Sequence, residues 1–388
     1  MTQASALFSR MAKVQGLATA QPRYEAWVAR DYAEVEQLWE SLAQQGAALP
    51  FQRAGWMGHW YGAHRSGFKP LPVTICRAGS SEPVMALPLA LYRDGALRII
   101  AFADGGLTDY NAPILGANAP CDSIGAETML RALRQALPPA DILFFGKMPA
   151  RIGTMANPLA MLASATPSAL NGNVLHVPRA WDDWHWGLER TFRKELERSL
   201  RVFLKYPNAG FGQVTEPDDV ARVYAALKRQ QSERIRELGL PYILDEPEHE
   251  AFYDALVADG LASGKVILTA LSAGDEIVAA LLGITDGRNY AMVRLSTGGA
   301  KWKTCSPGRL LIERTMRMLH GQGYRAFDFT IGDYSYKRRM GVTAMALSEM
   351  TLALSWRGWP VLAREKMRAA VKARPALLAA VKRLRRAK

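Results

Sequence analysis

Between Thr304 and Lys337 the chain gathers residue types that can hold an activated acyl carrier and move a proton. Ser306-Pro307-Gly308-Arg309 has the composition of a helix start, because Pro sets φ without needing its N–H and Ser can cap. The free N–H groups of such a first turn suit a pyrophosphate, which makes Ser306, Gly308, Arg309 and Leu310 the candidate coenzyme-binding residues. Further on, Ala326-Phe327-Asp328-Phe329-Thr330-Ile331 reads as a short strand ending at Gly332. That strand delivers Asp333, Tyr336 and Lys337 to one place, where acid, base and substrate contacts belong. The pattern suggests a coenzyme-bearing transferase.

These residues need elements to position them. Leu310, Leu311, Met316 and Leu319 follow helical spacing up to the stop at Gly321 and Gly323. Upstream, residues 266–271, 277–285 and 290–295 predict a three-stranded meander with turns at Ala273-Gly274-Asp275 and Asp286-Gly287-Arg288. The order is meander, anion-ready helix, strand. Together with Ser-Pro-Gly, Gly-Tyr, Phe-Asp-Phe, Gly-Asp and Tyr-Lys, it resembles the CelD/BcsL-type branch of the GNAT acyltransferases, the BioF2-like acetyltransferase domain related to Fem-type tandem transferases. Asp109-Tyr110-Asn111-Ala112-Pro113 matches an upstream motif of that branch, and Arg190–Lys205 matches its basic helix. Only Gly308 stands where most of these enzymes have two loop glycines.

The resemblance implies an α/β (α+β) fold of two tandem GNAT-like domains, each a mixed, mostly antiparallel sheet flanked by helices. It implies an N-acyltransferase that uses acyl-CoA and no metal. Asp333 is the first candidate for general base and Asp109 the second, and Tyr336 would donate to the departing thiolate. Tyr110, Asn111, Lys337, Arg193 and Lys194 are the candidate acceptor contacts. The acceptor would be an amine, either a sphingoid base in ceramide synthesis or an amino sugar of an exopolysaccharide. A Fem-like aminoacyl-tRNA-dependent ligase and a non-catalytic polysaccharide- or membrane-binding scaffold remain alternatives; nucleic acid is not the expected partner.

Length and composition agree with two domains. The chain has 388 residues, 49% hydrophobic and 22% charged, which is ordinary globular material. The expected division is a disordered leader at 1–22, domains at 23–165 and 174–360, and a basic amphipathic tail at 361–388. The Ala/Pro/Gly-rich stretch 151–173 reads as the connection. Helix, meander, helix and strand patterns in residues 31–146 repeat the order of the second half. No apolar run approaches the ~20 residues that span a bilayer, no signal peptide is evident, and three scattered cysteines suggest a reducing compartment. A cytoplasmic location follows.

The net charge of +13 is concentrated at the end, where residues 364–388 hold ten Lys or Arg against Glu365 alone. Leu377, Leu378, Val381 and Leu384 recur there at helical spacing, the pattern of a helix that rests on an anionic inner-membrane surface. Trp181–Lys205 predicts one long helix with Leu188, Phe192, Leu196, Leu200 and Phe203 on its apolar face. The six histidines show no metal-ligand spacing, and no nucleophile elbow or phosphate loop is present.

Overall fold

The computed structural model describes residues 23–64 and 66–372. The leader assigned to residues 1–22, and most of the basic tail including Leu377, Leu378, Val381 and Leu384, lie outside the described residues. The first half runs through β1 (Tyr24–Val28), α1 (Glu36–Gln45), α2 (Ala54–Ala63), β2 (Phe68–Arg77), β3 (Pro83–Asp94), β4 (Leu97–Phe102), β5 (Ile114–Leu115), α3 (Ser123–Ala136) and β6 (Ile142–Pro149). A small hairpin, β7 (Arg151–Ile152) and β8 (Met155–Ala156), leads to β9 (Thr166–His176). The second half continues with α4 (Trp181–Gly187), α5 (Arg190–Phe203), β10 (Ala209–Gln213), α6 (Pro217–Glu237), α7 (Pro247–Ala262), β11 (Val266–Ala273), β12 (Glu276–Thr285) and β13 (Asn289–Thr297). It closes with α8 (Pro307–Gly321), β14 (Ala326–Asp328), α9 (Ser335–Arg339), β15 (Thr343–Ala353) and α10 (Trp359–Lys372).

Strand, two helices, meander, helix, strand: the order occurs twice. In each half the last meander strand pairs in parallel with the strand after the helix, and it does so over three residues. Ile99–Ala101 pair with Ile142–Phe144, and Asn289–Ala291 with Ala326–Asp328. The two halves share one sheet, in the order β1-β2-β3-β4-β6-β15-β9-β14-β13-β12-β11-β10, with β5 added beside β3. β15 inserts between β6 and β9, antiparallel to both, so the end of the second half completes the junction with the first. Residues 166–173, expected as linker, are therefore strand at the centre of the sheet. Their Ala, Pro and Gly content hid a strand that has neighbours on both edges.

The apolar periodicity is met by helices on both faces of the sheet. Trp39 and Leu42 of α1, Trp56, Met57 and Trp60 of α2, Val223 and Leu227 of α6, and Phe252 and Leu256 of α7 form one core that spans both halves. On the opposite face, α3 covers the first half and α4, α5 and α8 cover the second. Pro217 and Pro247 open α6 and α7 at the position where a missing N–H costs nothing. The single helix expected from Trp181 to Lys205 is broken, because Leu188 and Glu189 take extended ψ values of 150° and 132° after Gly187. Trp184 anchors α4 by donating its Nε1–H to the carbonyl of Met340 at 3.1 Å.

Candidate active site at the fork between β13 and β14

The three-residue parallel pair makes a fork. Beyond Ala291 and Asp328 the ladder ends, and on β13 the register slips so that Leu282 faces Arg294 while Gly283 faces Met292. Val293 is the extra residue, a β-bulge that turns the strand away from its partner. The helix entered after β13 is α8. Its cap residue Ser306 is left-handed, at φ 46°, and no side chain closes its first turn. Ser306 Oγ instead accepts from Arg309 at 2.8 Å. Gly308 lies hard against β13, since a Cβ there would stand 3.1 Å from Thr297 Cγ2. The equivalent helix of the first half, α3, is shut: Asp122 accepts from the N–H of Gly125 at 2.7 Å, placing a carboxylate where an anion would have to bind. Of these two helix starts, only that of α8 offers its N–H groups to an anion.

At the crotch of the fork the halves meet in a polar network. Tyr110 donates its hydroxyl to Asp328 Oδ1 at 2.7 Å, and the N–H of Thr330 donates to the same oxygen at 2.7 Å. Lys337 is buried and its ammonium donates to the carbonyls of Phe329 at 2.6 Å, Ile331 at 2.8 Å and Thr330 at 3.3 Å. Asn173 of β9 donates to the carbonyls of Thr330 and Gly332. From the first half, Asp104 accepts from Asn111 at 2.9 Å and pairs with Lys147, and Asn111 also donates to the carbonyl of Gly146. Lys147, Ser306 and Thr330 all hold positive φ at 59°, 46° and 58°. Such backbone strain in non-glycine residues gathers where a site needs it.

The electrostatics set this network apart. Burial raises the Asp109 carboxyl to about 6, against the opposing pull of Lys147, Thr330 and Lys337. Burial likewise raises Asp328 to about 7, although Tyr110 and Thr330 donate to it. The same desolvation lowers Lys337 to about 8, with Asp109, Asp328 and Asp333 holding it back. Two carboxyls that change state near neutrality beside a softened ammonium can carry acid–base chemistry.

The residues expected from sequence divide between this network and the surface. Asp109, Tyr110, Asn111 and Lys337 come together here, with Asn111 and Lys337 bonded to backbone carbonyls. Asp333 stands exposed and paired with Arg338. Tyr336 packs half-buried among the residues beneath α8, and burial raises its hydroxyl to about 12. Arg309 donates to Glu195, which also takes two bonds from Arg339 at 2.9 and 3.0 Å. Leu310 is fully buried. Arg193 braces the α4–α5 corner over the Trp186 ring, and Lys194 is exposed. Asp328 and Asn173 were not foreseen. Asp328 stands in the Phe-Asp-Phe motif, to which the sequence assigns no role, and a charged residue between two aromatics of a buried strand is the signal that marks it. Among the described residues, no group of three or more His, Cys, Asp or Glu side chains is placed to hold a metal ion.

The same architecture recurs in solved structures. That of FemX, at 11% identity, covers 86% of this chain and 98% of its own with a TM-score of 0.59. A conserved protein of unknown function from Bacteroides thetaiotaomicron VPI-5482, at 10% identity, covers 84% of this chain and 99% of its own with a TM-score of 0.50. No protein of curated function matches the sequence. Residues 190–338, from α5 to α9, match the family model described as the acetyltransferase (GNAT) domain, and the β13–β14 fork, the open helix start and Lys337 lie within the matched stretch.

Proposed function

We propose that the protein is an N-acyltransferase that moves an acyl group from a CoA thioester to an amine. The observation that carries this reading is the pair of proton-ready carboxyls, Asp109 and Asp328, at the crotch of the fork, together with the uncapped start of the helix that follows β13. The coenzyme pyrophosphate would lie over the N–H groups of Gly308 and Arg309, and its acyl arm would enter between β13 and β14. Asp109 would take the proton of the attacking amine. Asp328 acts through Tyr110, fixing its hydroxyl beside the reacting centre. Lys337, with its three N–H bonds given to the carbonyls of Phe329, Thr330 and Ile331, would hold the turn after β14 in place and lend its positive charge to the site. Asp333, exposed and neutralised by Arg338, is poorly placed for the base it was expected to be.

The acceptor reading favours an amino sugar over a sphingoid base. The first-half fork opens into a cavity of about 290 Å³ lined by Phe68, Tyr92, Phe102 and Phe144, with Asp104 and Asn111 at its edge. Aromatic faces beside a carboxylate and an amide suit a ring that carries hydroxyl and amino groups. Attachment to a membrane surface has separate support at the other end of the chain. Trp356 and Trp359 are 78% and 62% exposed where α10 begins, beside Arg357. No helix among the described residues is long and apolar enough to cross a membrane.

The test is release of free CoA from acetyl-CoA in the presence of a panel of amino sugars and long-chain amines. Amino-sugar-dependent release supports the whole reading. Release with long-chain amines alone keeps the enzyme and moves the acceptor to the sphingoid class. Consumption of aminoacyl-tRNA in place of acyl-CoA would assign the chemistry to the Fem-like alternative, and binding of polymer or lipid without turnover to the scaffold.

A further inference from the structure

Away from the fork, two histidines face each other across the seam between the halves. His64, directly after α2, is fully buried, and His249, in the first turn of α7, is half-buried. The Nδ1 of His64 lies 3.0 Å from the carbonyl of Trp60, and that of His249 lies 3.0 Å from the carbonyl of Ile243. A carbonyl only accepts, so each neutral ring carries its proton on Nδ1 and leaves a lone pair on Nε2. Both lone-pair nitrogens approach one spot. They are 3.5 and 3.7 Å from the place where a Cβ on Gly105 would be. The Nε2 of His64 is buried with no hydrogen-bond partner, an expensive omission unless something else uses that lone pair.

We propose that His64 and His249 form a site for a divalent ion of the zinc, nickel or copper class, clasping α2 of the first half to α7 of the second. Two imidazoles bound through Nε2 at about 2.1 Å to one tetrahedral ion have ring centres roughly 5 Å apart. The rings of His64 and His249 are 5.2 Å apart and inclined at 47°. Metal-binding histidines characteristically donate the other ring N–H to a carbonyl, as both do here. Around the pair stand Trp60, stacked on His64 at 4.6 Å, together with Phe68 and Phe252, which form an apolar wall. Glu248, held by Ser66, is within electrostatic reach of both rings and adds a negative charge that favours a dication. With two protein ligands, water completes the coordination, and the affinity expected is micromolar rather than that of a closed structural site.

The test is calorimetric titration of tag-free, chelator-washed protein with Zn²⁺ and with Ni²⁺, on the wild type, His249→Gln and His64→Gln. The expected result is one ion per chain in the wild type, weakened roughly tenfold or more in each variant. The melting temperature should rise with Zn²⁺ in the wild type alone. His249 is half-exposed, so its variant keeps the fold even where His64→Gln does not, and circular dichroism checks this. Equal binding by the wild type and His249→Gln, or no binding by the wild type at micromolar ion, overturns the proposal.

Discussion

Asp109→Asn should slow turnover by orders of magnitude and at the same time make the protein more stable. Burial lifts the Asp109 carboxyl from 3.8 to about 6, and two units correspond to about 3 kcal/mol. The sign follows from linkage. The folded state holds this proton more tightly than the unfolded chain, so ionised Asp109 penalises the fold. The penalty is nearly absent at pH 4, grows between pH 4 and 6, and is complete above pH 6. Asn has the same shape and no charge, and its amide keeps a bond to Thr330. The variant should therefore match the wild type near pH 4 and exceed it by about 1–3 kcal/mol at pH 8. Loss of a general base lowers the rate by about 10²–10⁴-fold. Denaturant midpoints at the two pH values, with CoA release assayed alongside, measure both quantities. A destabilised variant at pH 8 would make Asp109 a structural residue, and a fully active one would remove it from the mechanism.

Three further outcomes follow from the same geometry. The pH profile of kcat/KM should be a bell, rising near 6 as Asp109 ionises and falling near 8 as Lys337 loses its proton, once the acceptor's own titration is divided out; a profile flat from 5.5 to 8.5 contradicts the assignment. Gly172→Val should drive a side chain into the Tyr110 hydroxyl and the Met345 methyl, at a cost of about 1–3 kcal/mol and with loss of the Tyr110–Asp328 bond. Its turnover should fall by more than its stability explains, and unchanged kcat would show that Tyr110 is a bystander. Replacing both Trp356 and Trp359 by Ala should weaken sedimentation with phosphatidylserine vesicles at low salt, and equal partition of the two proteins would place any membrane contact elsewhere.

The sequence was legible where periodicity and punctuation agreed. The meander 266–295 and the helix at 307–321 came from alternating or helical apolar positions bounded by Gly, Asp and Pro, and both form with those boundaries to within a few residues. Elements that depend on distant partners were hidden. β15 and β9 are strands because each lies between two others, and neither has the alternation of a half-buried strand. α7 was missed because its apolar residues are spread around the helix, which packs against both α2 and the sheet.

The site was half legible for a related reason. Asp109-Tyr110-Asn111 and Lys337 were singled out by their motifs, and they converge across more than two hundred residues of chain. Which carboxylate is buried was beyond the sequence. Asp328 and Asp333 flank the same turn, and the left-handed Thr330 between them sends one inward to Tyr110 and the other outward to Arg338.

The most direct test of the acyl-CoA reading is calorimetric titration with acetyl-CoA, palmitoyl-CoA and free CoA, on the wild type and on Gly308→Trp. A Cβ at Gly308 already meets Thr297 Cγ2 at 3.1 Å, so the indole would force the first turn of α8 away from β13 and disturb the N–H groups proposed to hold the pyrophosphate. The account predicts that the wild type binds acyl-CoA and that the variant, folded as judged by its melting curve, does not. Absence of coenzyme binding by the wild type, or undiminished binding by Gly308→Trp, would contradict it.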